Sequence, residues 1–99
     1  MDESLVLCAV DCGGRSFLNF DVEIPTEKVG DFDTELVKEF LIAFTSNAKI
    51  NAHFKLLSGE NSHHIIEAVF KSFARALKKA LSIDPDSNVQ IPSTNWAIK

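Results

Sequence analysis

The sequence has little of what marks linkers, membrane spans and secreted proteins. Its 99 residues include four glycines and three prolines, so it is neither a flexible linker nor a low-complexity chain. The longest unbroken apolar run covers only residues 5–10, whereas a membrane-spanning helix needs about 18 apolar residues. Met1 is followed by Asp-Glu-Ser without a basic stretch, which argues against a secretory signal. We therefore expect one ordinary globular domain.

An excess of positive charge is also missing. The formal net charge is −4 and charges of both signs are interspersed, which argues against a protein that binds nucleic-acid phosphates. Cysteine is scarce, since Cys8 and Cys12 are the only two. Within one strand they would lie about 13 Å apart, too far for a disulfide. A lone C-x-x-x-C pair is a weak indication of zinc, so we favour free thiols in a reducing, cytoplasmic compartment.

The apolar pattern predicts the element order β-β-α-β-α. Three segments have the apolar or alternating pattern of strands: residues 5–11, 16–23 and 50–56. Two segments have the spacing of amphipathic helices, and each follows a capping residue: 33–47, capped by Asp33 or Thr34, and 61–81, capped by Asn61 or Ser62. Gly13 and Gly14 favour a hairpin between the first two strands. We expect residues 25–30 to form a loop, 84–87 a turn and 88–99 an extended or loose end.

Each predicted helix has one apolar stripe, so both are expected on the same face of the sheet. The stripes consist of Leu36, Val37, Phe40, Ala43 and Phe44 in the first helix, and Ile66, Val69, Phe70, Phe73, Leu77 and Leu81 in the second. The predicted fold class is α+β: a two-layer sandwich of a mixed sheet with two helices on one face. The other sheet face, which includes Phe17, is left for contact with another domain or subunit.

The segment with the clearest chemistry opens the second predicted helix. His63 and His64 are adjacent, and Glu67 follows four and three residues later, so its direction falls between those of the two rings. Imidazole and carboxylate together suit Mn, Fe or Zn. Because the two imidazoles point about 100° apart, they suit two different ions better than one. Each ion would then need further ligands from other segments or other chains.

Simpler interpretations stand beside these. The two histidines can be exposed polar residues, although protonated histidine is disfavoured at a helix N-terminus. Glu39 reads most simply as a solvated carboxylate on the first helix. Arg15, at the turn, and Lys71, on the second helix, can bind an anion or only cover the surface. We find neither a Gly-rich phosphate loop nor a serine or cysteine nucleophile motif.

Four segments resemble, in order and spacing, motifs of the imidazoleglycerol-phosphate dehydratase family. Residues 59–77 resemble the second His-His-x-x-Glu motif of the family, and residues 29–40 resemble the segment that precedes it in the family chain. Residues 11–15 resemble its Asp-Leu-Ser-Gly-Arg turn, and residues 91–94 resemble its C-terminal Pro-Ser-Ser/Thr segment. The resemblance covers residues 1–94, and it is to the second half of a family chain about twice as long. It implies a single half-domain over 1–94 that resembles one half of the dehydratase, with an atypical tail at 95–99.

The resemblance implies a hydro-lyase of histidine biosynthesis that converts imidazole glycerol phosphate to imidazole acetol phosphate. The family depends on Mn and forms homo-oligomers with active sites between subunits. The resemblance also implies a mechanism in which two metal ions hold the imidazole ring of the substrate. A base then removes a carbon-bound proton, and hydroxide leaves. Seven positions match functional residues of the family: His63, His64, Glu67 and Glu39 as metal ligands, and Arg15, Lys71 and Ser93 as phosphate-binding residues.

The sequence departs from the family pattern at one of these seven positions and at one further position. Many members have a ligating histidine where this chain has Glu39, and a lysine where it has Asn95. The acid–base glutamate and the second ligand set of the family belong to the other half. We therefore expect little activity from this chain alone. The alternative hypothesis is a non-catalytic half-domain that binds metal or assembles with itself, two copies pairing as the two family halves do.

Overall fold

The computed structural model describes residues 3–82, which form five strands and two helices. The elements are β1 Leu5–Asp11, β2 Phe17–Asp21, β3 Lys28–Val29, β4 Phe32–Asp33, α1 Glu35–Ala48, β5 Asn51–Ser58 and α2 Ser62–Leu81. The three longer strands and both helices confirm the predicted elements. In the region around the expected loop, β3 and β4 form a small antiparallel pair that was not predicted. The turn predicted at 84–87 and the extended end at 88–99 lie outside the described residues.

The main sheet is mixed, in the order β1-β5-β2. β5 runs antiparallel to β1 and parallel to β2, so Phe54 lies between Cys8 and Phe20. The predicted hairpin between β1 and β2 is therefore wrong. β5 takes the central position, and its inward side chains, such as Ala52 and Phe54, are almost fully buried. The connection over residues 12–16 crosses two strand spacings, about 10 Å, instead of closing a tight turn.

Both helices cover the same face of the sheet, as predicted. Strand residues on this face form one core with the two helices, and the ring centroids of Phe54 and Phe73 lie 5.7 Å apart. The largest fully buried side chains of this core are Phe54, Leu41, Ile65, Val10, Val37, Val69 and Cys8. The alternate strand residues point to the opposite face, which the helices leave open. The α+β two-layer fold class is thus confirmed.

The predicted helix stripes are partly wrong, because the buried side of each helix is rotated from the predicted one. In α1 the buried residues are Val37, Leu41 and Thr45, whereas Leu36 and Phe40 are about half exposed. The Thr45 hydroxyl donates to the Leu41 carbonyl at 2.9 Å, which makes its burial tolerable.

In α2 the residues nearest the sheet include several small ones. The buried set is Ser62, Ile65, Ala68, Val69, Ser72, Phe73, Ala76 and Ala80. Small side chains let the helix approach the sheet closely, so the larger Ile66, Phe70 and Leu77 are only partly buried. Leu81, also assigned to the stripe, is 67% exposed. Within residues 3–82, neither helix combines the length and the hydropathy that crossing a membrane requires.

Candidate functional site

The N-terminal end of α2 is held against the start of β1. Asn61 caps the helix: its backbone is extended, and its side-chain oxygen accepts a hydrogen bond from the backbone N–H of His64 at 3.0 Å. The preceding turn uses Gly59 at φ 138, and a Cβ there would approach Ser4 Oγ to 2.7 Å. The turn therefore needs glycine both for its conformation and for its closeness to β1. This packing brings Glu3 beside the first turn of α2.

His64 is paired with Glu3, a residue that the sequence interpretation missed. The Nδ1 atom of His64 is hydrogen-bonded to Oε2 of Glu3, and the two residues are 61 positions apart in the sequence. The hydrogen bond from His64 lowers the pKa of Glu3 to about 2, with a smaller contribution from Glu3's own backbone N–H. Both side chains border an open hollow of about 640 Å³. No local sequence pattern points to Glu3, because only the packing of β1 against the turn before α2 brings it there.

His63 is paired with a different carboxylate. Its Nε2 lies 3.4 Å from Oε2 of Glu67, one helical turn further on. The centroids of the His63 and His64 rings are 6.1 Å apart and the rings are inclined at 61°. The α2 end therefore has two separate imidazole–carboxylate pairs, and Glu67 joins only one of them. The two imidazoles therefore do not share a carboxylate, and the expectation that they serve different ions stays a prediction.

The donor types at this end fit a divalent metal, but their number is incomplete. Imidazole nitrogen and carboxylate oxygen suit Mn²⁺ and its neighbours. Across residues 3–82, no three side chains of histidine, cysteine, aspartate or glutamate come together in a way that would hold an ion. Each pair offers one imidazole and one carboxylate. Further ligands would have to come from outside this part of the chain.

The other predicted site residues do not join the histidines. Glu39 is exposed on α1, and Lys71 is exposed on α2. Arg15 follows the end of β1 that pairs Asp11 with Asn51, whereas Glu3 and His64 lie near the end that pairs Leu5 with Ser58. A strand of seven residues, about 20 Å long, separates the two ends. Ser93 lies outside the described residues.

The Arg15 end of the sheet has polar groups of its own. Asp11 and Asn51 each have a buried side-chain oxygen without a hydrogen-bond partner in the described structure. The Asp11 carboxylate lies 3.5 Å from where a Cβ at Gly13 would be, so the turn that leads to Arg15 passes close to it. Burial and the nearby Asp11 charge together raise the pKa of Cys12. Both cysteines are free thiols.

Known proteins share both the sequence and the fold. The family model for imidazoleglycerol-phosphate dehydratase matches residues 1–77. The imidazoleglycerol-phosphate dehydratase of Prochlorococcus marinus (strain NATL1A) is 52% identical over 99 residues, which are 100% of this chain and 49% of that protein. The one from Thermosynechococcus vestitus is 50% identical and is covered over 47% of its length. The chain spans about half the length of the curated relatives it matches.

Two crystal structures agree with this match. The imidazoleglycerol-phosphate dehydratase of Staphylococcus aureus superposes with a TM-score of 0.76 at 52% identity, over 78% of this chain and 45% of that one. The structure from Pyrococcus furiosus gives a TM-score of 0.71 at 42% identity, over 79% of this chain and 44% of that one. The described fold therefore corresponds to about half of each of these chains.

Proposed function

The chain belongs to the imidazoleglycerol-phosphate dehydratase family, and we propose that it supplies one half of the active centre for dehydrating imidazole glycerol phosphate to imidazole acetol phosphate in histidine biosynthesis. The proposal rests on a match that covers all of this chain but only about half of each relative. It agrees with the geometry of the α2 end, where two imidazole–carboxylate pairs each offer two donors. A chain that carries one half of the ligands would have little activity alone.

We propose that Mn²⁺ is the metal and that His63, His64 and Glu67 are ligands, with Glu39 as a further candidate. When bound, the ions would supply positive charge that stabilises the imidazole ring of the substrate as negative charge develops on it. Glu3 has a positioning role in this proposal. An ionised carboxylate can only accept a hydrogen bond, so the proton of its bond to His64 lies on Nδ1, and a neutral His64 would offer the lone pair of Nε2 to a metal ion.

The residues proposed for the phosphate group are Arg15, Lys71 and Ser93. Guanidinium and ammonium groups bind phosphate by charge-assisted hydrogen bonds, and so hold the substrate while its other end reacts. Because Arg15 and His64 lie at opposite ends of the sheet, we propose that they contribute to different active centres. This arrangement favours a homo-oligomer with sites between subunits. A cytoplasmic location fits the free thiols of Cys8 and Cys12.

Manganese binding tests the ligand assignment. The chain is mixed with the N-terminal half of the Prochlorococcus relative, and free Mn²⁺ is followed by electron paramagnetic resonance during titration. We expect His63→Ala and His64→Ala each to weaken binding by about 10-fold to 100-fold or more, because each removes a donor. His53→Asn, at the third histidine, on the opposite face of the sheet, is the matched control. If His63→Ala and His64→Ala bind Mn²⁺ as tightly as His53→Asn and the unchanged chain, the ligand assignment is wrong.

A further inference from the structure

One exposed threonine joins the starts of the two helices. Thr26 lies between β2 and β3, 36 residues before Ser62. Its backbone N–H donates to the Ser62 hydroxyl oxygen at 3.2 Å, and the two hydroxyl oxygens are 2.9 Å apart. Its carbonyl oxygen accepts a hydrogen bond from the Thr34 hydroxyl at 2.7 Å. Because Ser62 begins α2 and Thr34 directly precedes α1, these three residues form a link between the helix starts, which we call the Thr26 clasp.

The hydroxyl protons of the Thr26 clasp can be assigned from its geometry. The Thr26 hydroxyl also lies 2.9 Å from the Lys28 carbonyl oxygen, which can only accept. A hydroxyl has one proton, so both protons find an acceptor when Thr26 donates to that carbonyl and Ser62 donates to Thr26. Thr26 and Ser62 then exchange two hydrogen bonds, one from the Thr26 backbone N–H and one from the Ser62 hydroxyl.

The Thr26 clasp replaces the side-chain cap of α1. Thr34 occupies the capping position and is a favoured residue type there, yet it makes no capping hydrogen bond. Its hydroxyl donates to Thr26 instead, and its backbone N–H donates to the Glu27 carbonyl at 2.9 Å. β3 and β4 have two residues each, too few for a ribbon that is stable by itself. The position of this ribbon therefore depends on its link to the helix starts.

The Thr26 clasp acts on the turn that carries both histidines. Ser62 is 8% exposed and directly precedes His63. Glu3 ties His64 to the start of β1, whereas the carboxylate partner of His63 is Glu67 of the same helix. The bonds of Ser62 thus supply a second link from this turn to another segment. An imidazole nitrogen lies about 6 Å from the helix axis, so a rotation of the turn by about 10° moves it by about 1 Å. Metal–ligand distances tolerate only about 0.2 Å.

We propose that Thr26 is a positioning residue for the metal site: through Ser62 it fixes the first turn of α2, and with it the directions of His63 and His64. The proposal rests on the ligand role proposed for these histidines, and Thr26 acts on them through the backbone of α2. Removing the Thr26 hydroxyl takes away the acceptor of the Ser62 proton and loosens this side of the turn. The fold should remain intact, because Thr26 is exposed and lies outside the core.

Substitutions of matched shape test the Thr26 clasp. Thr26→Val removes the hydroxyl, whereas Thr26→Ser keeps it. The Mn²⁺ titration is repeated on the full chain mixed with the N-terminal half of the Prochlorococcus relative. We expect Thr26→Val to weaken binding about tenfold and Thr26→Ser to stay within about twofold of the unchanged chain. Thr45→Val, which removes a hydroxyl bonded to the Leu41 carbonyl towards the other end of α1, is the matched control and leaves binding unchanged. Equal affinities for Thr26→Val and Thr45→Val overturn the proposal.

Ser62→Ala breaks the Thr26 clasp from its other side. We expect it to weaken Mn²⁺ binding as Thr26→Val does, and the double variant to bind little worse than either, because each change already removes the link. Losses that multiply in the double variant overturn the proposal. Circular dichroism checks that every variant is folded.

Amide hydrogen exchange of the full chain without metal gives an independent measurement. Thr26→Val should speed exchange at the His64 and Ile65 amides, which bond to Asn61, and leave the Phe54 amide of the central strand unchanged. Unchanged exchange at His64 and Ile65 overturns the proposal.

The titrations also separate this proposal from the proposed function. If His63→Ala and His64→Ala weaken Mn²⁺ binding but Thr26→Val does not, only the positioning role is wrong. If the two histidine variants bind as the unchanged chain does, the ligand assignment is wrong, and the positioning role is overturned with it.

Discussion

The buried core and the N-terminal end of α2 differ in how complete they are. In the core, Phe54 and Leu41 are at most 1% exposed. At the α2 end, the His63 side chain is 61% exposed and has one carboxylate partner, Glu67. The core thus obtains its contacts from residues 3–82, while each imidazole at the α2 end is paired with a single carboxylate. The core is thus complete within residues 3–82, whereas the function proposed for the α2 end requires ligands from elsewhere.

A substitution in the core gives the largest contrast between the two regions. Phe54→Ala removes a ring that contacts Phe20 and Phe73 at centroid distances of 5.5 and 5.7 Å. We expect the free energy of unfolding to fall by about 3–5 kcal/mol, from lost burial and the cavity left behind. His63→Ala, at an exposed position, should change it by less than about 0.5 kcal/mol. Urea denaturation at one fixed protein concentration measures both. Similar losses for the two variants would remove the distinction between the two regions.

The two cysteines differ in exposure: Cys8 lies in the core, and Cys12 is partly exposed. Burial raises the pKa of Cys8 to about 12, so at pH 8 almost none of it is thiolate. The pKa of Cys12 is also raised, but this residue is only partly buried and lies closer to solvent. We expect a maleimide reagent at pH 8 to modify Cys12 while Cys8 stays unmodified until the chain unfolds. Peptide mass spectrometry identifies the modified residue. Faster modification of Cys8 than of Cys12 would contradict the packing of β1.

Removing the helix cap at Asn61 should cost less stability than a substitution in the core and more than one at the exposed His63. Asn61→Ala leaves the His64 N–H without its acceptor, so we expect a loss of about 1 kcal/mol in the free energy of unfolding. Asn61→Asp, which keeps an accepting oxygen, should lose much less. Thermal denaturation followed by circular dichroism compares the two variants. An equal loss in both would mean that the cap bond does not stabilise the start of α2.

The smallest effect on stability is expected at Glu3, where a titration is more informative. Its carboxyl has a pKa of about 2 instead of 4.5, so the folded state favours the ionised form. The contribution of this pairing is therefore fully present above pH 4.5, and it is lost as the pH falls through about 2. Carbon-13 NMR of the side-chain carboxyl measures this pKa. We expect His64→Ala to return it towards 4.5, and an unchanged value would contradict the pairing.

Local patterns predicted the elements well because strands and helices follow from nearby residues. β1 occupies residues 5–11 as predicted, and α2 begins at Ser62 and ends at Leu81. The order of strands was not predictable in the same way. Gly13 and Gly14 favoured a hairpin, but the central place of β5 depends on contacts about 40 residues further along the chain. The stripes were rotated because the pattern favoured large side chains, whereas α2 approaches the sheet through small ones such as Ala76.

The candidate site was predictable to the extent that it is local. The pairing of His63 with Glu67 follows from helical spacing, and the structure shows it at 3.4 Å. The pairing of His64 with Glu3 could not be predicted, because it depends on how the β5–α2 turn packs against the start of β1. The metal-ligand roles of His63, His64, Glu67 and Glu39 stay predictions. The phosphate-binding roles of Arg15, Lys71 and Ser93 also stay predictions from the family resemblance.

Turnover by the purified chain tests the central claim that it folds alone but carries half of a catalytic centre. The assay follows formation of imidazole acetol phosphate from imidazole glycerol phosphate with Mn²⁺, first with the 99-residue chain and then after addition of the N-terminal half of the Prochlorococcus relative. We predict no measurable turnover by the folded chain alone and Mn-dependent turnover by the mixture. Equal turnover with and without the added half would contradict the account.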